Sequence, residues 1–427
     1  MGKRKPVGKR QPGKIALFGH FGTTNHGQEA TLLAIVSRLR SLLPNCQLCC
    51  ICSFPNNVAM ALKIETAPHT VRSVRIWDRG VPLGRRLRMA RVGVWEEGRE
   101  YVRAWQTLKN VDMFVIPGSN ILTDGVVFSG WGPYGSFKWS LMAKLRGCKV
   151  MFVSVGAGPV LTVPGKVLLR SSFALADYRS FRDAPSSRAV SRSRFLTKGD
   201  RIYPDLVLGL PSPEPATALA RESRPVVGLG VMEYQERVSV ANPLGHTYER
   251  YLESLAVFAS WLIDHGYDIK LLLGDADTGA IDDFRHALST RFGPKMLERV
   301  TYRPTDSVED LLSELSATDF VVATRFHNVL MSMLLDKPVI SVSFHHKCSA
   351  LMRQMGLSQY SHDISQIESE ALIAQFQDLV AHADEVRRLI RQGLEASRRE
   401  LEEQYQLLFG GALAGEVAPR TPIPTVT

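Results

Sequence analysis

The segment ATRFH places Arg325 and His327 two residues apart at the end of an apolar run, and Lys347 closes the next run, VISVSFHHK. Arginine offers a planar fork that fits a phosphate or carboxylate, and it keeps its charge. Histidine exchanges a proton near neutral pH. Lysine adds a third, compact cation. Taken singly, each is an ordinary polar residue following a strand, and a lone histidine there is more often structural than catalytic. Taken together, they point to an anion clamp with a proton donor. On an extended strand end, residues two apart face the same way, so the spacing predicts a shared face for Arg325 and His327. The segment NVLMSMLLD that follows reads as a helix, whose N-terminus would add positive potential there.

Other strand-to-loop junctions carry polar groups. In FGHFGTTNHGQEATLLA (18–34) a strand gives way to a Gly-punctuated turn and then a helix. Gly19, Gly22 and Gly27 would let backbone amides approach a ligand, with Asn25, His26 and Glu29 close by. The spacing is not GxGxxG, and the lysine of a P-loop is missing, which argues against NAD and ATP. VIPGSNILTDG (115–125) brings Ser119, Asn120 and Asp124 to a second such loop, and VSVGAGPV (153–160) forms a third. SFRD places Arg182 and Asp183 after a short strand, where a plain surface ion pair is the bland alternative. YPDLV adds Asp205.

These junctions need strands to end them and helices to follow. KIALFGH, QLCCICSF, VDMFVIPG and KVMFVSVGAGP are short apolar runs, with helix-period segments such as GQEATLLAIVSRLRSLL and FKWSLMAKLRG among them. After the Pro- and Ser-rich stretch 209–225 the pattern restarts with VVGLGVM, YDIKLLLGD, VTYRP, FVVATRFH and VISVSFHHK. This is the signature of parallel sheets covered on both faces. The expected fold is therefore α/β, with two Rossmann-like doubly wound units. Residues 14–210 form the first, 211–225 the linker, 226–383 the second and 384–410 a C-terminal helix. Residues 1–13 and 411–427 read as flexible tails. Doubly wound sheets bind ligands outside the carboxyl ends of their strands, and every junction named above lies at such an end. Ser307 and Asp310 fit a helix cap.

The totals agree. A chain of 427 residues, 45% hydrophobic and 22% charged, is that of a globular protein with about two cores. No run approaches ~18 apolar residues, and the basic N-terminus leads to no secretory signal. A net charge of +10 favours anionic partners. Residues 70–105 are dense in Arg with interleaved Trp, which suits a nucleic-acid groove, a helix on an anionic membrane, or a solvated face. No nucleic-acid module is recognisable, so nucleic acid is not expected. Of six cysteines, four crowd NCQLCCICSF. Without a second CxxC or a His pair at ligand spacing, they read as small buried hydrophobes with free thiols in the cytoplasm, and no metal is expected.

At this point the residues resemble the polysaccharide pyruvyl transferase family. The resemblance rests on the Asn-x-Gly turn and helix at 25–34, the Gly loop with a trailing Asp at 118–124, SFRD, the Pro-Asp pair at 204–205, and above all TRFHNVLMSMLLDKPVISVSFHHK. It spans roughly residues 14–360. The chain departs from the family where Gly27 is followed by Gln28 instead of Asp, where a triple-Gly loop is PGSN, and where a Tyr-Asp-x-Lys approach is FHHK.

The resemblance implies a GT-B-like pair of domains with an interdomain cleft. The first domain would serve the acceptor and the second phosphoenolpyruvate. It implies transfer of pyruvate from phosphoenolpyruvate, as co-substrate, to two sugar hydroxyls of a surface polysaccharide or lipid-linked precursor, forming a ketal without a resident cofactor. His327 would be the proton donor, and Asp124 would orient or deprotonate an acceptor hydroxyl. Arg325, Lys347 and Arg182 would clamp the donor's anions, and Asn25, Gly27, Ser119 and Asn120 would line the site. The expected location is cytoplasmic, with peripheral contact to an anionic membrane surface through residues 70–105. A GT-B nucleotide-sugar glycosyltransferase and an inactive binding protein are the alternatives. Sequence identifies neither the sugar nor the oligomeric state.

Overall fold

A computed structural model describes residues 12–70, 83–118, 132–158, 162–191, 200–211, 224–234, 247–274, 278–343 and 346–410, and of 83–94, 189 and 191 only the backbone. Outside it lie most of the predicted linker and both tails, residues 71–82 of the Arg-rich segment, and the candidates Ser119, Asn120 and Asp124.

The first sheet is built from β1 Lys14–Phe18, β2 Gln47–Cys52, β3 Glu65–Pro68, β4 Met113–Pro117, β5 Lys149–Val155, β6 Tyr178–Phe181 and β7 Arg201–Ile202. Their order is β3-β2-β1-β4-β5-β6-β7, all parallel. The second sheet holds β8 Val226–Gly230, β9 Asp268–Leu272, β10 Val300–Tyr302, β11 Phe320–Ala323, β12 Val339–Ser343 and β13 Ser361–Asp363, in the parallel order β10-β9-β8-β11-β12-β13. The central strands carry near-continuous apolar runs because helices cover both faces. Residues 15–18 of β1 and all of β4 and β12 are buried. Cys49, Cys50 and Cys52 pack in β2 as small hydrophobes with free thiols.

In each sheet the strand order reverses direction once, between β1 and β4 and between β8 and β11. These are the switch points where a doubly wound sheet leaves a crevice at its carboxyl edge. The two crevices open onto each other. The His26 ring at the start of the helix His26–Leu42 bonds the Thr305 carbonyl beyond β10 (3.2 Å), which ties the first half to the second at this level.

The C-terminal helix Ala383–Phe409 runs back from the second half to the first. Its apolar stripe, Val386, Ile390, Leu394, Leu401, Tyr405 and Phe409, repeats at helical spacing and is buried. Arg398 donates to the carbonyls of Leu208 and Leu210, and Gln404 donates to Ser180 Oγ in β6 at 2.7 Å. Glu402 pairs with Arg38 of the helix His26–Leu42. The helix thereby straps the halves together behind the cleft.

Candidate active site

Among the described residues, three helices begin at the cleft, and each offers its second residue to one cavity of about 220 Å³. Gly27 comes from His26–Leu42, His327 from Phe326–Leu334 and Lys347 from His346–Gln354. Arg182, Arg325 and Asn25 share its wall.

Two strand-based expectations need correction here. β11 ends at Ala323, opposite the last residue of β8, so ATRFH is not an extended strand end. Arg325 is the N-cap of the next helix and His327 lies in its first turn. Likewise β12 ends at Ser343, and Lys347 belongs to the following helix. The residues still converge, because strand-to-helix turns at neighbouring parallel strands aim both first turns at one crevice. Two helix N-termini therefore reach the cavity with their positive ends and unbonded amides.

The Gly-punctuated turn is corrected as well. The amides of Gly22 and Thr23 do not face the cavity for an anion; both donate to Glu29 Oε1, at 2.8 and 3.0 Å. Glu29 fills the turn with the chain's own carboxylate, and burial raises its pKa to about 7 against the pull of those hydrogen bonds. Gly22 sits at φ +81°, which a side chain rarely adopts. Asn25 caps the helix through Oδ1, accepting from Gln28 N–H at 3.1 Å.

Arg182 is not a surface residue. It lies buried beside β6 with Nη1 3.1 Å from Asp205 Oδ2 and Nε 3.4 Å from Asp183 Oδ2, its guanidinium over the Phe326 ring. Asp205 also shapes the backbone, since its Oδ1 accepts from Val207 N–H and starts the turn Leu206–Gly209. Burial works to raise the Asp183 pKa, but Arg182 and the bonds from Ser186 prevail and lower it. Gly156 lets Arg182 in, since a β-carbon there would lie 2.8 Å from the guanidinium.

His327 sits among these charges. Part of its ring faces the cavity, yet Nε2 is buried and has no hydrogen-bond partner. Burial drives its pKa down to about 4; Asp205 opposes this, while Arg182, Lys347 and His26 add to it. Burial also takes Lys347 well below the ordinary lysine value, with Arg182 adding to the shift and Asp183 and Asp205 resisting it. A buried cluster of cations and potential cations is held against two carboxylates, and the imidazole beside it stays neutral at pH 7.

The structure thus brings together Asn25, Gly27, Arg182, Arg325, His327 and Lys347. Sequence reasoning gave no place in the site to two groups. Gln28 lines the cavity with Oε1 buried and unpartnered, and Asp205 is the buried partner of Arg182. Asp205 was visible in YPDLV, and only its pairing was not. Among the described residues, no group of three or more His, Cys, Asp or Glu could hold a metal ion.

Comparison with known proteins follows the same lines. The family described as polysaccharide pyruvyl transferase matches residues 25–346. The amylovoran biosynthesis protein AmsJ of Erwinia amylovora is 20% identical over 420 residues, covering 90% of this chain and 96% of that protein. Among solved structures, a glycosyltransferase from Rickettsia africae superposes with a TM-score of 0.59 at 10% identity, over 92% of this chain and 98% of its own. The UDP-GlcNAc 2-epimerase of Neisseria meningitidis gives 0.58 at 10% identity, over 92% and 99%. At such identities the likeness concerns the fold, which is the GT-B arrangement of two doubly wound halves about a cleft.

Proposed function

We propose that this chain, which belongs to the polysaccharide pyruvyl transferase family, moves pyruvate from phosphoenolpyruvate onto two hydroxyls of an exopolysaccharide or its lipid-linked precursor. The observation that carries this reading is Arg182, Arg325 and Lys347 gathered in one cavity around an imidazole whose buried Nε2 has no partner. Phosphoenolpyruvate carries a phosphate and a carboxylate, so several cations are needed to hold it. Arg325 and Lys347, each at a helix N-terminus, suit its anions, and Arg182 is steadied for the same role by Asp205 and Asp183.

The chemistry then needs one proton. His327 delivers it to the methylene carbon, and C2 becomes electrophilic. An acceptor hydroxyl adds to C2, and the C2–O bond to phosphate breaks. A second hydroxyl adds to C2 and closes the ketal. Of the two hydroxyl protons released, one returns to His327 and the other leaves with phosphate. Burial keeps His327 neutral at pH 7. The charges of phosphoenolpyruvate, seated against Arg182 and Lys347, oppose the burial and the cations that lower the His327 pKa, and so load the acid as the donor binds. Asp124 is assigned to the acceptor by the family resemblance, and Ser119 and Asn120 to the substrate by their place in the loop after β4.

The test is incubation with phosphoenolpyruvate and a panel of glycans and lipid-linked glycans, reading phosphate release and the ketal methyl by NMR. Stoichiometric phosphate and ketal are expected. Phosphate release without a ketal, or no consumption with any acceptor, would overturn the reading.

A further inference from the structure

The helix Leu83–Thr107 turns an apolar stripe outward. Trp95 is 69% exposed, Val102 56% and Trp105 40%, and Leu145, at the end of the neighbouring helix, is 61% exposed. Residues 95 and 102 are two helical turns apart, and 105 follows within the next turn, so they lie along one face. Arg146 joins the two helices by placing its guanidinium 4.4 Å from the Trp105 ring centroid. A tryptophan two-thirds exposed is unusual, and here it shares one helix face with the exposed Val102 and Trp105.

The described side chains of the same helix include Arg99 and Arg103 with Glu96, Glu97 and Glu100. Glu97 bonds the Tyr134 hydroxyl and the buried Lys138, and Glu100 is itself buried against Arg103. Two of the three carboxylates thus turn toward the protein, while Arg99 and Arg103 are exposed beside the apolar stripe. Tryptophan and aliphatic groups flanked by arginine fit the boundary between acyl chains and anionic headgroups.

We propose that this face is a docking surface for an anionic phospholipid membrane, lying in the plane of the interface. No described helix is long and apolar enough to cross a membrane, so the contact is peripheral. It stands independently of the pyruvyl-transfer chemistry.

The test is flotation of the full chain with vesicles of phosphatidylcholine alone or with a quarter phosphatidylglycerol, across a salt series. Binding to the anionic vesicles only, weakening with salt, is expected. Arg99→Glu with Arg103→Glu should reduce it at least ~25-fold, since one arginine near an anionic surface is worth roughly five-fold. Trp95→Ser with Val102→Ser should reduce it at least ten-fold with an unchanged melting temperature. No binding to anionic vesicles would overturn the proposal. Equal binding by both double variants would do the same, by assigning the affinity to the basic residues 3–14. Retention by neutral vesicles, or capture of a protein partner with no vesicle binding, would also contradict it.

Discussion

Gly27 and His327 meet across the cleft with no room between them: a β-carbon on residue 27 would overlap the His327 ring. The two lie on helices from opposite halves, so this contact sets how closely the halves approach at the cavity. Gly27→Ala should displace His327 or open the cleft. Turnover should fall at least ~100-fold, because small misplacements of a reacting group are that costly. Stability should fall by only about 1–3 kcal/mol. Steady-state kinetics beside urea unfolding checks both, and an alanine variant with full turnover would remove the contact from the account.

Arg182 and Asp205 form a buried pair, and breaking one side strands the other. Arg182→Ala should destabilise the protein by roughly 3–5 kcal/mol, since Asp205 and Asp183 would keep charges without their partner. Asp205→Asn should cost less, because the amide oxygen can still accept from Val207. Comparing the two unfolding free energies measures the asymmetry.

Much of this arrangement was legible in the residues. The parallel sheets follow from short apolar runs separated by helical periods, and the cap at Ser307 and Asp310 reads directly: Ser307 Oγ accepts from Asp310 N–H at 3.0 Å. The residue types lead one to expect Arg325, His327 and Lys347 to converge, and they do share one cavity, but from helix starts rather than strand ends. A period-two argument holds only while the chain stays extended, and nothing local in ATRFH marks the point where β11 hands over to a helix. Glu29 shows a second limit. Glycines in a turn reveal that amides are accessible, but not that a carboxylate seven residues beyond Gly22 already occupies them. Arg182 shows a third, because the carboxylate that buries it stands 23 residues away.

Glu29 should make stability depend on pH in the direction opposite to an ordinary paired carboxylate. Its pKa is about 7 in the folded protein and near 4.5 when unfolded, so between those values the folded state binds the extra proton. Stability contributed by the protonated group is then lost as pH rises from about 4.5 to 7. Allowing for its partial exposure, the loss is about 1–2 kcal/mol. Melting temperatures at pH 5 and 8 for the native chain and Glu29→Gln test this; the glutamine variant should lose that part of the slope.

Donor binding should draw protons from solution. His327 begins near 4 and Lys347 well below its ordinary value, and bound anions raise both. Calorimetry of phosphoenolpyruvate binding at pH 7, in buffers of different ionisation enthalpy, should show proton uptake that is smaller in His327→Gln. Equal uptake by the two proteins would leave His327 without a role as the loaded acid. His327→Ala should still bind the donor but turn over roughly 10²–10⁴-fold more slowly.

The most direct measurement is calorimetric titration of the chain with phosphoenolpyruvate and, separately, with UDP-sugars. The account predicts saturable binding of phosphoenolpyruvate, weakened roughly 10–100-fold by Arg325→Ala as a charge-assisted contact is lost, and no binding of UDP-sugars. Binding of UDP-sugars alone, or phosphoenolpyruvate binding indifferent to Arg325→Ala and Lys347→Ala, would contradict it.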